Sequence, residues 1–208
     1  MSATHPTLAI LASGRGSNCE AILRAVAEGR LRARVGLVLS DNVEAPVLEV
    51  ASAFGVESLF LDPGRPRARL TAACEARYVE TLRKRGVEWI ALAGFMRILG
   101  ASFLRAFPGR IVNIHPSLLP AFPGLDAAGQ AFDYGVKVAG CTVHLVDAGV
   151  DSGPIVLQSA VPVEDADTAD TLRARILEQE HRIYPRALAR LLSGRVRIDG
   201  RRVLGVGE

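Results

Sequence analysis

The chain is expected to form a doubly wound α/β fold, with a mostly parallel, Rossmann-like sheet of about seven strands. A long C-terminal helix and a small hairpin complete it. Two observations predict this class. Apolar runs of strand length alternate with helical stretches, which implies parallel strands covered on both faces. A glycine turn joins the first run to the first helical stretch, and ligands of such sheets sit at strand C-terminal ends of that kind.

The elements follow in order. Residues 7–12 are a continuous apolar run. Ser13-Gly-Arg-Gly-Ser-Asn18 breaks it, and a helix over 19–27 stops at Gly29. Such a turn presents backbone N–H groups and a positive helix end to a phosphate, or it is a plain tight turn. It is not the dinucleotide fingerprint, because Cys19 holds the sixth position of G-x-G-x-x-G. A strand at 35–39, a helix at 46–54 ended by Gly55 and a strand at 56–61 come next. Leu70, Ala73, Cys74, Tyr78 and Leu82 form the apolar stripe of another helix, which ends near Gly86. Residues 89–93 are strand again. The loop Gly94-Phe-Met-Arg-Ile-Leu99 carries large apolar residues, so it is packed or lines a pocket. Arg97 either anchors a ligand's polar edge or is solvated.

Arg110-Ile-Val112 reads as the tail of a buried strand leading into Asn113-Ile-His-Pro-Ser-Leu-Leu-Pro120. Pro116 and Pro120 exclude regular helix and fix this loop. Asn113 and His115 are two apart, so extended backbone points both the same way. An amide donor and an imidazole on a stiff loop suit a developing oxyanion; the bland alternative is a polar loop end. A strand over 138–146 carries His144, a turn-rich loop spans 147–154, and a strand follows at 155–163. Asp151 reaches His115 if those strands are neighbours, and then favours the imidazolium; otherwise it is a turn residue. Asp167 or Thr168 caps a long helix with stripe Leu172, Ile176, Ile183, Ala187 and Leu191. Glu180 falls on that stripe, where a carboxylate is costly unless it binds a ligand or pairs structurally. Pro185 is expected to kink or split this helix. Residues 195–204 form a hairpin turning at Asp199-Gly200.

Composition excludes several classes. The 208 residues are 49% hydrophobic and 23% charged, ordinary for a soluble globular protein. A net charge of +3 is too mild and dispersed for nucleic acid, but suits an anionic small substrate. Cys19, Cys74 and Cys141 are far apart, which disfavours a disulfide framework or a zinc site and fits a reducing cytoplasm. No apolar run approaches ~18 residues and the start lacks a basic n-region, so no membrane partner or signal peptide is expected.

Six segments together resemble the phosphoribosylglycinamide formyltransferase family. They are 13–18, Leu92-Ala-Gly-Phe-Met-Arg-Ile-Leu99, 113–120 with Phe122-Pro-Gly-Leu125, Thr142-Val-His-Leu-Val146, Val150-Asp-Ser-Gly-Pro154 and Gln179-Glu-His-Arg-Ile-Tyr-Pro185. The resemblance implies the formyltransferase fold and transfer of a formyl group from 10-formyltetrahydrofolate, a co-substrate, to the glycinamide amine. By the same resemblance, Gly16, Ser17 and Asn18 hold the ribosyl phosphate. Met96, Arg97, Ile98 and Leu99 line the folate pocket, with Asn113 and Arg69. Asn113, His115 and Asp151 are catalytic, His144 supports them, and Glu180 binds the nucleotide. No metal is implied. A single domain spans 1–208, divided into a phosphate-binding half at 7–100, a catalytic and folate-binding half at 101–192 and a C-terminal hairpin and tail at 193–208. Partners are small molecules, and the chain is a monomer or homodimer. Two places depart from the family pattern: residues 126–130 read Asp-Ala-Ala-Gly-Gln, and Arg65, Arg67 and Arg69 compete for one ligand-contacting arginine. A deformylase, in which water replaces the amine, and a binding module without chemistry are the rival readings.

Overall fold

A computed structural model describes residues 5–65 and 68–205. It divides into two compact units, Met1–Val112 and Asn113–Glu208. The first unit contains β1 (Thr7–Ala12), α1 (Ser17–Ala27), β2 (Arg34–Ser40), α2 (Val47–Ala53), β3 (Ser58–Phe60), α3 (Ala72–Lys84), β4 (Trp89–Leu92) and α4 (Ala101–Ala106). Its strands lie in the order β3-β2-β1-β4 and pair in parallel. Every residue of β1 is buried, so both faces of this central strand are covered. That is why β1 reads as a continuous apolar run rather than an alternating one.

The strand β5 (Ile111–His115) runs through the division and opens the second unit. After it come α5 (Ala127–Tyr134), β6 (Val138–Leu145), β7 (Ile155–Pro162), α6 (Ala169–Leu192), β8 (Arg197–Asp199) and β9 (Arg202–Leu204). Here the order is β5-β6-β7-β9-β8. The β6–β7 and β8–β9 pairs are antiparallel, because short turns rather than crossover helices join them. The described residues therefore form nine strands, not about seven. The expected hairpin supplies β8 and β9, and β9 extends the sheet by pairing with Ile155 of β7.

Two expectations about helices change. The α3 helix starts after Leu70, with Thr71 as its cap accepting from the Cys74 N–H at 3.3 Å. Leu70 is buried ahead of the helix, whereas Ala73 is exposed and Glu75 is buried. Helix α6 is not split at Pro185. Residues on both sides of the proline share one buried stripe, from Leu172 through Ile183 and Tyr184 to Leu191, and that burial outweighs one missing N–H. A reciprocal Thr168–Thr171 capping box starts this helix. All three cysteines are free and buried. Burial, reinforced by the nearby charges of Glu20 and Glu180 respectively, pushes the Cys19 and Cys141 thiols up to about 12.

Candidate active site

The second unit gathers Asn113, His115, His144 and Asp151. The first two end β5, with His115 buried and Asn113 half-buried. Thr142 of β6 stiffens the loop that follows: its hydroxyl donates to the Ser117 carbonyl at 2.6 Å and accepts from the Leu119 N–H at 3.0 Å. Asp151 lies in the β6–β7 loop with φ 49°, a left-handed conformation that aspartate adopts more readily than most residues other than glycine. Its carboxylate stands between the two imidazoles, 3.4 Å from His115 Nδ1 and 3.6 Å from His144 Nε2. The Gly124 N–H donates to it at 2.8 Å. Antiparallel pairing of β6 with β7 makes this approach possible.

Hydrogen-bond partners constrain the rings. His115 Nε2 faces the Phe122 carbonyl at 2.9 Å, and a carbonyl only accepts, so Nε2 carries a proton. Nδ1 faces a carboxylate, so this environment accommodates the doubly protonated ring. His144 Nδ1 faces the Leu145 carbonyl at 2.9 Å and so donates. Its Nε2 lies 3.2 Å from Asn113 Nδ2 and 3.6 Å from Asp151 Oδ1: in the neutral ring it accepts from the amide, whose second hydrogen is left for another acceptor, and when protonated it donates to the carboxylate. Burial pushes the Asp151 carboxyl up, but contact with His144, the Gly124 N–H and the His115 charge outweigh it and hold the group below the ordinary carboxylate range.

Two loops of the first unit carry the remaining candidates. Gly16 is the N-cap of α1 at φ 84° and offers no side-chain cap. A Cβ there would come within 2.7 Å of Val47 Cγ2 and 2.9 Å of the Val47 backbone, so only glycine fits. A helix start of this kind turns its first-turn N–H groups toward its N-terminal end, the arrangement that attracts an anion. In the second loop Phe95 packs against Tyr78 with ring centroids 6.3 Å apart, Leu99 is buried and Met96 is exposed. Arg97 is not solvated: its Nε donates to Asp41 at 2.5 Å, and the Asp41 side chain is only 3% exposed. Arg69 meets this loop through backbone pairing with Ile98, while the residue itself is exposed. Arg65 is also exposed, and Arg67 lies outside the described residues.

Glu180 is buried on α6 between Ile176 and Ile183, and its charge reaches the Cys141 thiol. Asp126, at the departure from the family pattern, caps α5 by accepting from the Gly129 N–H at 3.3 Å and pairs with Arg173 at 2.9 Å. Among the described residues no group of three or more His, Cys, Asp or Glu is placed to hold a metal ion. No described helix is long and apolar enough to cross a membrane.

The formyl transferase family profile matches residues 7–188. The chain belongs to the formyl transferase family. A phosphoribosylglycinamide formyltransferase of Bacillus subtilis (strain 168) is 48% identical over 184 residues, covering 88% of this chain and 93% of that protein. A crystal structure of glycinamide ribonucleotide transformylase 1 from Symbiobacterium toebii matches with a TM-score of 0.91 at 50% identity, covering 98% of this chain and 94% of that one. A trifunctional purine biosynthetic protein adenosine-3 from Drosophila melanogaster is 42% identical over 196 residues, 93% of this chain but 14% of that protein. As a formyl transferase, this enzyme works on small molecules with a folate-type formyl donor.

Several groups of this formyl transferase were missed by sequence reasoning. The Phe122 carbonyl and the Gly124 N–H are backbone groups, which no residue type reveals. Asp41 has its partner Arg97 56 positions away, so nothing local marks it. Glu75 lies beside the expected stripe of α3 rather than on it, so the periodicity did not mark it; only the structure shows it buried.

Proposed function

We propose that this enzyme transfers the formyl group of 10-formyltetrahydrofolate to the amine of 5'-phosphoribosylglycinamide, giving N-formylglycinamide ribonucleotide and tetrahydrofolate in purine synthesis. The observation that carries the reading is Asp151 set between two imidazoles, beside an amide whose orientation one of them fixes. The amine lone pair attacks the formyl carbon and the carbonyl π electrons move onto oxygen. The second Asn113 Nδ2 hydrogen and the His115 Nε2 proton stabilise that oxyanion, and each such donor contributes roughly 3 kcal/mol. To do so, His115 exchanges the Phe122 carbonyl for the substrate oxygen. The intermediate collapses as the bond to the folate nitrogen breaks. The amine gives up one proton and the folate nitrogen gains one, with His115 as acid and Asp151 holding its charge. His144 acts through Asn113 and is a positioning residue.

Gly16, Ser17 and Asn18 are assigned to the ribosyl phosphate, Met96 to Leu99 with Asn113 and Arg69 to the folate, and Glu180 to the nucleotide. Residues 7–100 are assigned as the phosphate-binding half, which also carries Arg69 and Met96 to Leu99, and 101–192 as the catalytic and folate-binding half, with 193–208 as tail. Buried free thiols suit a reducing cytoplasm. A formyl-transfer assay with and without the nucleotide tests the whole reading. Consumption of the folate only when the nucleotide is present supports transfer. Formate release without it supports hydrolysis, and no turnover supports a binding module.

Two further outcomes check the assignments. Inorganic phosphate competes with the nucleotide and leaves the KM for the folate unchanged, as expected of an anion held at the start of α1; equal inhibition against both substrates refutes that location. Glu180→Ala raises the KM for the nucleotide roughly tenfold or more, the size expected for a lost charged hydrogen bond. A lower melting temperature with an unchanged KM makes Glu180 structural.

A further inference from the structure

The loop Gly94–Leu99 is fastened at alternate residues. The Met96 N–H donates to Ser13 Oγ at 2.8 Å, the Ile98 N–H to the Ala68 carbonyl at 3.0 Å and the Gly100 N–H to Glu75 Oε1. The other Glu75 oxygen accepts from the Ser102 hydroxyl. Glu75 belongs to α3, is 5% exposed and has no part in the transfer chemistry described above. Gly100 is the N-cap of α4, which has only six residues and no side-chain cap of its own. A helix that short does not hold itself in water. A carboxylate at its start, bound to the first N–H and to a first-turn hydroxyl, supplies the missing cap from another helix. The approach is close: a Cβ at Gly100 would overlap the Glu75 carboxylate.

We infer that Glu75 is a positioning residue for the formyl donor: by anchoring Gly100 and Ser102 it sets the C-terminal end of the Met96–Leu99 loop, and so the fit of the folate on it. This rests on the assignment of that loop to the folate. Ser13 and Asp41 hold the same loop upstream, so loss of Glu75 loosens one end and leaves the other in place.

The test compares wild-type enzyme with Glu75→Ala and Glu75→Gln, measuring both KM values, kcat and amide hydrogen exchange at residues 94–102. In wild type, 10-formyltetrahydrofolate slows exchange in this loop; if it does not, the folate assignment itself fails. In Glu75→Ala the KM for the folate rises roughly tenfold or more. The KM for the nucleotide stays within about twofold, a change of only ~0.4 kcal/mol. Exchange at Gly100 quickens without ligand. Glu75→Gln keeps an acceptor for the Gly100 N–H and recovers most of the affinity. If Glu75→Ala does not fold, the same split is read from Ser102→Ala, which removes the hydroxyl half of the anchor, with Glu75→Gln as the variant that retains the Gly100 contact. Folate protection in wild type, with both KM values unchanged or rising together in Glu75→Ala (or in Ser102→Ala where it stands in), overturns the inference.

Discussion

Asp151→Asn lowers the rate of formyl transfer by on the order of 10²-fold or more, while the protein stays folded. The asparagine side chain still offers an oxygen to the Gly124 N–H, so the loop keeps that bond. What disappears is the charge 3.4 Å from His115 Nδ1. Without it the imidazolium is less favoured and the oxyanion faces a weaker donor. Stability moves with pH in a defined direction. The carboxyl of Asp151 is held below its ordinary range, so its contribution is fully present above the unfolded value, near ~3.9, and is lost as pH falls through the lower folded value. The gap in melting temperature between wild type and variant therefore narrows only in acid. An unchanged rate would make Asp151 a turn residue and nothing more.

Gly153→Ala destabilises the fold by about 3 kcal/mol or more, at the upper end of overpacking costs. In a protein of this size that lowers the melting temperature on the order of 10 °C. A Cβ at this position would overlap the Leu145 carbonyl oxygen. The obstacle is backbone, and it is the backbone of β6 where the Leu145 N–H donates to the Pro154 carbonyl at 2.9 Å. No rotamer relieves it; either the strand or the loop moves. Because Asp151 is two residues away, with φ already at 49°, relief by the loop also shifts its carboxylate. Activity at a permissive temperature is expected to fall with stability. Gly29→Ala is the control: space is open around that Cβ, although φ there is also positive, so only backbone strain of roughly 1 kcal/mol is added. Equal melting temperatures for the two variants would contradict the packing argument.

The alternation of strands and helices was legible because β1 and its neighbours are buried on both faces and leave unbroken apolar runs. Asn113, His115 and Asp151 were legible as residue types in short segments, and the geometry adds how they meet. What stayed hidden depends on distance along the chain or on backbone groups. Arg97 was read as a ligand anchor or a solvated side chain because nothing local announces Asp41 as its partner. The Phe122 carbonyl that occupies His115 arises from a turn at φ 52°, which residue identity does not forecast. Local backbone rules alone expect Pro185 to kink or split its helix; the buried stripe on both sides of it, which keeps the helix whole, is a tertiary fact. The hairpin of β8 and β9 was legible from its Asp199-Gly200 turn, but its pairing with β7, which adds it to the sheet, depends on distant backbone.

The three native cysteines make the chain a ready background for chemical labelling. Each is buried and unbridged, and at neutral pH the thiols of Cys19 and Cys141, at about 12, are almost wholly in the unreactive protonated form. A cysteine introduced on an exposed surface, such as Leu125→Cys, therefore takes a maleimide dye in preference to all three. Without any introduced residue, the rate at which a disulfide reagent consumes native thiols measures how often the buried interior opens.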